Sequence, residues 1–134
     1  MPPVPTVFVI DDDPDICDSL RELLDAAGIA VETYSDGESF LSQYDRARLG
    51  CLLLDIKMPG LDGLDLQDRM NQAGHTIPIL ILTGYADVSL AVRAVRAGAL
   101  DVLEKPLKPD QLIERVKYAL QEDRRTRAGQ PPTP

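Results

Sequence analysis

Three stretches of the chain are apolar without interruption, and each stops at a polar residue. Val7-Phe8-Val9-Ile10 runs into Asp11-Asp12-Asp13, Cys51-Leu52-Leu53-Leu54 into Asp55, and Ile79-Leu80-Ile81-Leu82 into Thr83-Gly84. Strands with one solvated face alternate apolar and polar residues, whereas strands covered on both faces do not. The pattern therefore predicts strands buried in a parallel sheet, the first beginning at Thr6. Two shorter strands are expected at Val31 to Tyr34 and at Leu100 to Leu103, the latter ending in Glu104-Lys105-Pro106.

Between the strands the spacing becomes helical. Ile16, Leu20, Leu23, Leu24 and Ala27 follow a Pro14-Asp15 start and stop at Gly28, a glycine where helices commonly end. Ser35-Asp36-Gly37 opens a second helix with Phe40, Leu41 and Tyr44 on its apolar face. Met58-Pro59-Gly60 forces a turn, Asp62-Gly63 lets a third helix begin, and Leu64, Leu66, Met70 and Ala73 lead to Gly74. A fourth helix runs from about Asp87 to Gly98; its many alanines suit close packing or a partner surface. The fifth starts after Lys108-Pro109-Asp110, with proline where helices tolerate it, and carries Leu112, Ile113, Val116, Ala119 and Leu120. Five strands alternating with five helices predict an α/β fold, a three-layer α/β/α sandwich around a parallel sheet. Residues 1–5 form a proline-rich leader expected to be disordered, and the domain spans Thr6 to Glu122. The hydrophobic pattern fades from Gln121, so residues 123–134 are expected to be a flexible tail or a truncated interdomain linker.

Bulk properties narrow the function. At 134 residues, 44% hydrophobic and 27% charged, the chain is one ordinary domain that can bury a core without disulfides. No run is long enough to span a bilayer and no signal sequence precedes the first strand, so a cytoplasmic location without membrane contact is expected. A net charge of −8 disfavours direct nucleic-acid binding and suits cations. Cys17 and Cys51 lack metal spacing and are expected to be small buried hydrophobes.

Acids at strand or helix ends commonly cap helices, threonines are common in strands, and lysines line surfaces. What stands out is their shared address: Asp11 and Asp12, Asp55, Thr83 and Lys105 all follow strands, and a parallel sheet brings those ends to one edge. Each pair of carboxylates at about 4 Å would cost about 4 kcal/mol at an effective dielectric of about 20. A cation is therefore implied, and hard oxygen ligands suit Mg²⁺. Lys105 adds a point charge for a phosphoryl oxygen and Thr83 a hydroxyl donor. Asp55 could then act as a carboxylate nucleophile toward phosphorus.

The motifs L-L-L-D-I-K-M-P-G-L-D-G, V-I-D-D-D, I-L-T-G and E-K-P together resemble the receiver domain of bacterial response regulators, and the stretch from Thr83 to Leu107 resembles the FixJ-like branch of that family. The resemblance implies a flavodoxin-like fold with strand order 2-1-3-4-5. It also implies Asp55 as phosphoacceptor, Asp11 and Asp12 as the Mg²⁺ pair, and the Lys57 backbone carbonyl as a further metal ligand. Lys57 and Gly84 would flank the phosphate, Lys105 would contact it, Thr83 would be the switch hydroxyl, and the Lys105-Pro106 bond is a candidate for cis. Val102 occupies a position often aromatic in the family, which moves the expected switching towards the loop from Thr83 to Asp87 and the fourth helix. A sensor histidine kinase or phosphotransfer protein is the implied phosphoryl source, homodimerisation on phosphorylation a possible output, and transcription control through an output domain or partner the role. Slow self-catalysed loss of phosphate is implied, its rate set in part by Lys57 and Tyr85.

Other classes remain open at this point. A Mg²⁺-dependent phosphatase would use a D-x-D motif, which Asp11 and Asp13 match, but no cap segment is evident and Asp55 would be superfluous. A pure interaction module would not need the complete set of acids, threonine and lysine. A flavodoxin-like cofactor binder would need a phosphate loop after the first strand. The sole histidine, His75, falls in a loop and is expected to have no relay role.

Overall fold

The computed structural model describes residues 4–84 and 87–129. The leader residues 1–3, Tyr85, Ala86 and the tail residues 130–134 lie outside the described residues. The order is β1 (Thr6–Ile10), α1 (Pro14–Ala26), β2 (Ala30–Tyr34), α2 (Gly37–Gln43), β3 (Gly50–Asp55), α3 (Gly63–Gln72), β4 (Ile79–Thr83), α4 (Val88–Arg96), β5 (Asp101–Glu104) and α5 (Pro109–Arg127). All strand pairs are parallel and the sheet order is 2-1-3-4-5.

The unbroken apolar runs are explained by two cores, one on each side of the sheet. Phe8, Ile10, Leu52, Leu54 and Ile81 face one way and pack with Phe40, Leu66, Met70 and Ala94 from α2, α3 and α4. Their neighbours Val7, Val9, Cys51, Leu53, Leu80 and Leu82 face the other way, against Leu20 and Leu24 of α1 and Leu112, Val116 and Ala119 of α5. Alternation along the strand thus separates two helical layers rather than core from solvent. Each leucine so buried contributes about 1.5–3 kcal/mol relative to exposure. Both cysteines are buried thiols within this scheme. His75 lies in the loop after α3 with its ring edge-on to Tyr44 at 5.1 Å, and burial lowers its pKa, so it is a packing residue.

The end of α5 departs from expectation. The helix continues past Glu122 to Arg127, where a flexible tail was expected. The reason is a polar anchor that hydrophobic periodicity does not register. Asp123 is 1% exposed; its carboxylate accepts from the Gly50 N–H at 2.8 Å and from the Arg127 Nε at 3.0 Å. The remaining Arg127 donors reach the carbonyls of Arg46 at 2.6 Å and Arg48 at 2.7 Å. The last turn of α5 is thereby clamped to the loop that feeds β3. Gly50 must be glycine here, because a Cβ would fall 1.9 Å from the Thr6 carbonyl oxygen.

Breaking a buried charge pair by removing one partner is strongly destabilising. Arg127→Ala should therefore lower the unfolding free energy by about 2–3 kcal/mol, below the usual range for a fully buried pair because Asp123 keeps its Gly50 donor. Urea titration should show a reduced midpoint, while Arg124→Ala on the exposed face stays within about 0.5 kcal/mol of wild type.

Candidate functional site

Because every strand runs the same way, the ends of β1, β3, β4 and β5 open on one edge. Register brings Ile10 beside Leu54, Asp55 beside Leu82, and Thr83 beside Glu104, so the residues that follow converge. Carboxylate oxygens of Asp11, Asp12 and Asp55 all lie within 4.8 Å of one another. Lys105 Nζ sits 3.0 Å from Asp11 Oδ2 and 3.6 Å from Asp55 Oδ1. Asp11 and Asp55 are buried, whereas Asp12 is exposed. The Lys105 amide is held by the Thr83 carbonyl at 2.8 Å, and the Lys105-Pro106 bond is cis, as the resemblance implied.

Local bonds orient the acids. Asp11 Oδ1 accepts from the Asp13 N–H at 2.9 Å, and Asp55 Oδ1 from the Lys57 N–H at 3.3 Å. Asp13 itself is the N-cap of α1, accepting from the Asp15 N–H. Burial, with the Asp11 charge adding to it, lifts the Asp55 carboxyl from 3.8 to about 6, against the opposing pull of Lys105. Burial would lower the Lys105 pKa, yet the Asp11 and Asp55 carboxylates hold it above its ordinary value. One ammonium is thus shared by two buried acids and cannot neutralise both. The donor set is all hard oxygen and remains net negative, which fits a divalent cation of the magnesium class.

Thr83 and Gly84 close one end of a groove of about 480 Å³ between α4 and β5, whose wall includes Val88, Val92 and Val102. Val102 is half-buried, and the Thr83 hydroxyl donates to the Gly84 carbonyl at 3.3 Å. Along α4, Ala91 and Ala94 are buried while Val88, Val92 and Val95 are exposed. The alanines pack inward and the valines form an outward stripe.

Two contributors were not apparent from the sequence in these roles. Gly63 was read as a helix start; its place is set by approach, since a Cβ there would lie 2.4 Å from the Asp55 carbonyl oxygen. Asp87 was read as a helix boundary and as the end of the loop expected to switch, but not as a partner of Lys57, whose Nζ its carboxylate meets at 2.8 Å. No local pattern distinguishes these roles, because one contact joins the end of β3 to the start of α3 and the other joins two connecting segments. Asp87 is the N-cap of α4 but makes no side-chain capping bond, forgoing an interaction typically worth about 1 kcal/mol. Lys57 is 67% exposed, so the pair it makes instead is solvent-screened.

Three buried or edge carboxylates, a lysine and a hydroxyl at the carboxyl edge of a 2-1-3-4-5 sheet define a receiver domain. The model of the response regulator receiver domain matches residues 7–117, and the chain belongs to that family. It is 44% identical over 116 residues to the transcriptional regulatory protein FixJ of Bradyrhizobium diazoefficiens, covering 87% of this chain and 57% of that protein. To the response regulator protein TodT of Pseudomonas putida it is 36% identical over 114 residues, 85% of this chain and 50% of the other. The chain thus spans about half the length of these relatives. Among solved structures, the response regulator StyR matches with a TM-score of 0.89 at 38% identity, over 94% of this chain and 64% of that one. FixJ-N matches at 0.83 and 34%, over 90% and 96%.

A carboxyl whose pKa rises on folding destabilises the fold once ionised. Below about pH 4 Asp55 is protonated in both states and has no effect. As pH climbs from about 4 to about 6 the unfolded chain ionises first and stability falls, by about 2–3 kcal/mol in full. Asp55→Asn should remove this decline and be about 2 kcal/mol more stable than wild type at pH 7.5 without divalent cation, as measured by urea unfolding across the pH range.

Proposed function

We propose that this chain is a phosphorylation-controlled switch of a two-component phosphorelay, with Asp55 as phosphoacceptor. The observation that carries the proposal is a buried Asp55 whose carboxylate lies 3.6 Å from Lys105 Nζ and beside Asp11. An Asp55 carboxylate oxygen attacks the phosphorus of a phosphohistidine on a sensor histidine kinase or phosphotransfer protein. The O–P bond forms, the P–N bond breaks, and the imidazole nitrogen leaves with the electron pair and takes a proton. Lys105 meets the phosphoryl oxygens, and the Thr83 hydroxyl turns to donate to one of them. Asp11, Asp12, Asp55 and the Lys57 carbonyl would hold Mg²⁺, which supplies charge compensation to the phosphoryl group when bound. Gly84 leaves room beside the phosphate, and water attack on the acyl phosphate later regenerates Asp55.

Output is assigned to the α4, β5 and α5 surface, where the Val88, Val92 and Val95 stripe and the groove beside Val102 offer apolar area for a second copy or an output domain. Response regulators pair with histidine kinases, and the similarity to FixJ supports a role in cytoplasmic control of transcription. The domain is taken as Thr6 to Glu122 plus the clamped turn to Arg127. The phosphatase alternative loses support from Asp13, whose carboxylate is committed to capping α1.

Incubation with Mg²⁺ and acetyl phosphate or phosphoramidate should add one phosphoryl group to wild type by intact mass and none to Asp55→Asn. EDTA should prevent the gain. Lys105→Ala should slow it by about 100-fold, the usual effect of removing one charge-stabilising donor. Size-exclusion chromatography of the adduct tests dimerisation. Steady turnover of small phosphomonoesters would instead favour the phosphatase.

A further inference from the structure

Four helices have an aspartate at the N-cap, and three of them use it in the same way. Asp13, Asp36 and Asp62 accept from the backbone N–H of Asp15, Ser39 and Asp65 respectively, with ψ of 111°, 163° and 177°. Asp87 at the head of α4 does not; its ψ is 29° and its carboxylate is taken by Lys57 at 2.8 Å. The carboxylate is 12% exposed against 67% for the lysine, so Asp87 is the committed partner and Lys57 the one free to leave.

The other end of α4 is fastened. Gln67 Nε2 donates to the Ala94 carbonyl at 2.8 Å and Asn71 Nδ2 to the Ala97 carbonyl at 2.9 Å. The helix is anchored at its C-terminal end on α3; its first turn packs Leu90 and Ala91 inward and, among the described residues, its N-cap Asp87 is ion-paired to the loop carrying the Lys57 N–H that bonds Asp55 Oδ1.

We propose that Asp87 is a two-position switch for α4, held off its capping site by Lys57 and released when charge on Asp55 draws the lysine away. The proposal rests on Asp55 being the phosphoacceptor. A phosphoryl group there places dianionic oxygen near the exposed Lys57 stem. The ammonium exchanges one anion for another, and Asp87 swings to accept from the N–H of Ser89 or Leu90, as its three counterparts do in their helices. Its ψ moves towards the extended values of the other caps, which shifts Val88, the most exposed residue of the valine stripe. Lys57 and Asp87 are positioning residues that link the phosphoacceptor to that stripe.

The test is amide hydrogen exchange by NMR on the whole chain. In unphosphorylated Lys57→Met the amides of Ser89 and Leu90 should exchange about fivefold more slowly than in wild type, the factor a helix cap supplies. Lys57→Arg should behave as wild type, and Lys57→Met with Asp87→Ala should lose the protection. Wild type treated with Mg²⁺ and acetyl phosphate, with the adduct verified by mass, should show the same slowing, and phosphorylated Asp87→Ala should not. Unchanged exchange at these amides in Lys57→Met, or in verified adduct, overturns the switch. Absence of any adduct would overturn the phosphoacceptor assignment instead, leaving the Lys57→Met comparison to decide the ion-pair exchange.

Discussion

Two buried carboxylates share one ammonium, and much of the molecule is arranged around that imbalance. Lys105 lies closer to Asp11 than to Asp55, so Asp55 keeps a charge that burial opposes and its pKa rises. A site of this kind is costly to the fold when ionised. It persists because the residues are held by strands that are themselves buried on both faces, and the all-oxygen donor set is one that a divalent cation would offset. The instability is local, and it sits where a ligand can remove it.

The parallel sheet supplies the geometry. Each strand end delivers one group: Asp11 after β1, Asp55 closing β3, Thr83 closing β4 and Lys105 after β5. In the order 2-1-3-4-5 the β1 and β3 ends are neighbours, so the acids meet at the point where the connections change direction. Gly63 lets α3 start hard against the Asp55 backbone, which fixes that residue from behind. Precision at the site therefore comes from strand register and one close backbone approach rather than from a dense side-chain network.

Polar anchors are distributed unevenly around this frame. At the opposite edge from Asp55, Asp123 and Arg127 tie the last turn of α5 to the start of β3 and the loop before it. At the site edge α4 is hydrogen-bonded to α3 through Gln67 and Asn71 near its C-terminal end, while its N-cap Asp87 pairs with the exposed Lys57.

The strands, helices and the shared address of Asp11, Asp12, Asp55, Thr83 and Lys105 were legible in the sequence. Continuous apolar runs have only one physical explanation in a small α/β domain, and a parallel sheet leaves strand-end residues no edge but one. Strand order was not legible from periodicity and came from the family resemblance. Tertiary structure alone decided that α5 reaches Arg127, because its last turn is held by a buried ion pair and carbonyl contacts that carry no hydrophobic period. It alone decided the roles of Gly63 and Asp87. A glycine at a helix start and an aspartate at a helix head look the same in sequence whether they face water or a neighbouring loop, and only the packing of β3 against α3 and α4 distinguishes them.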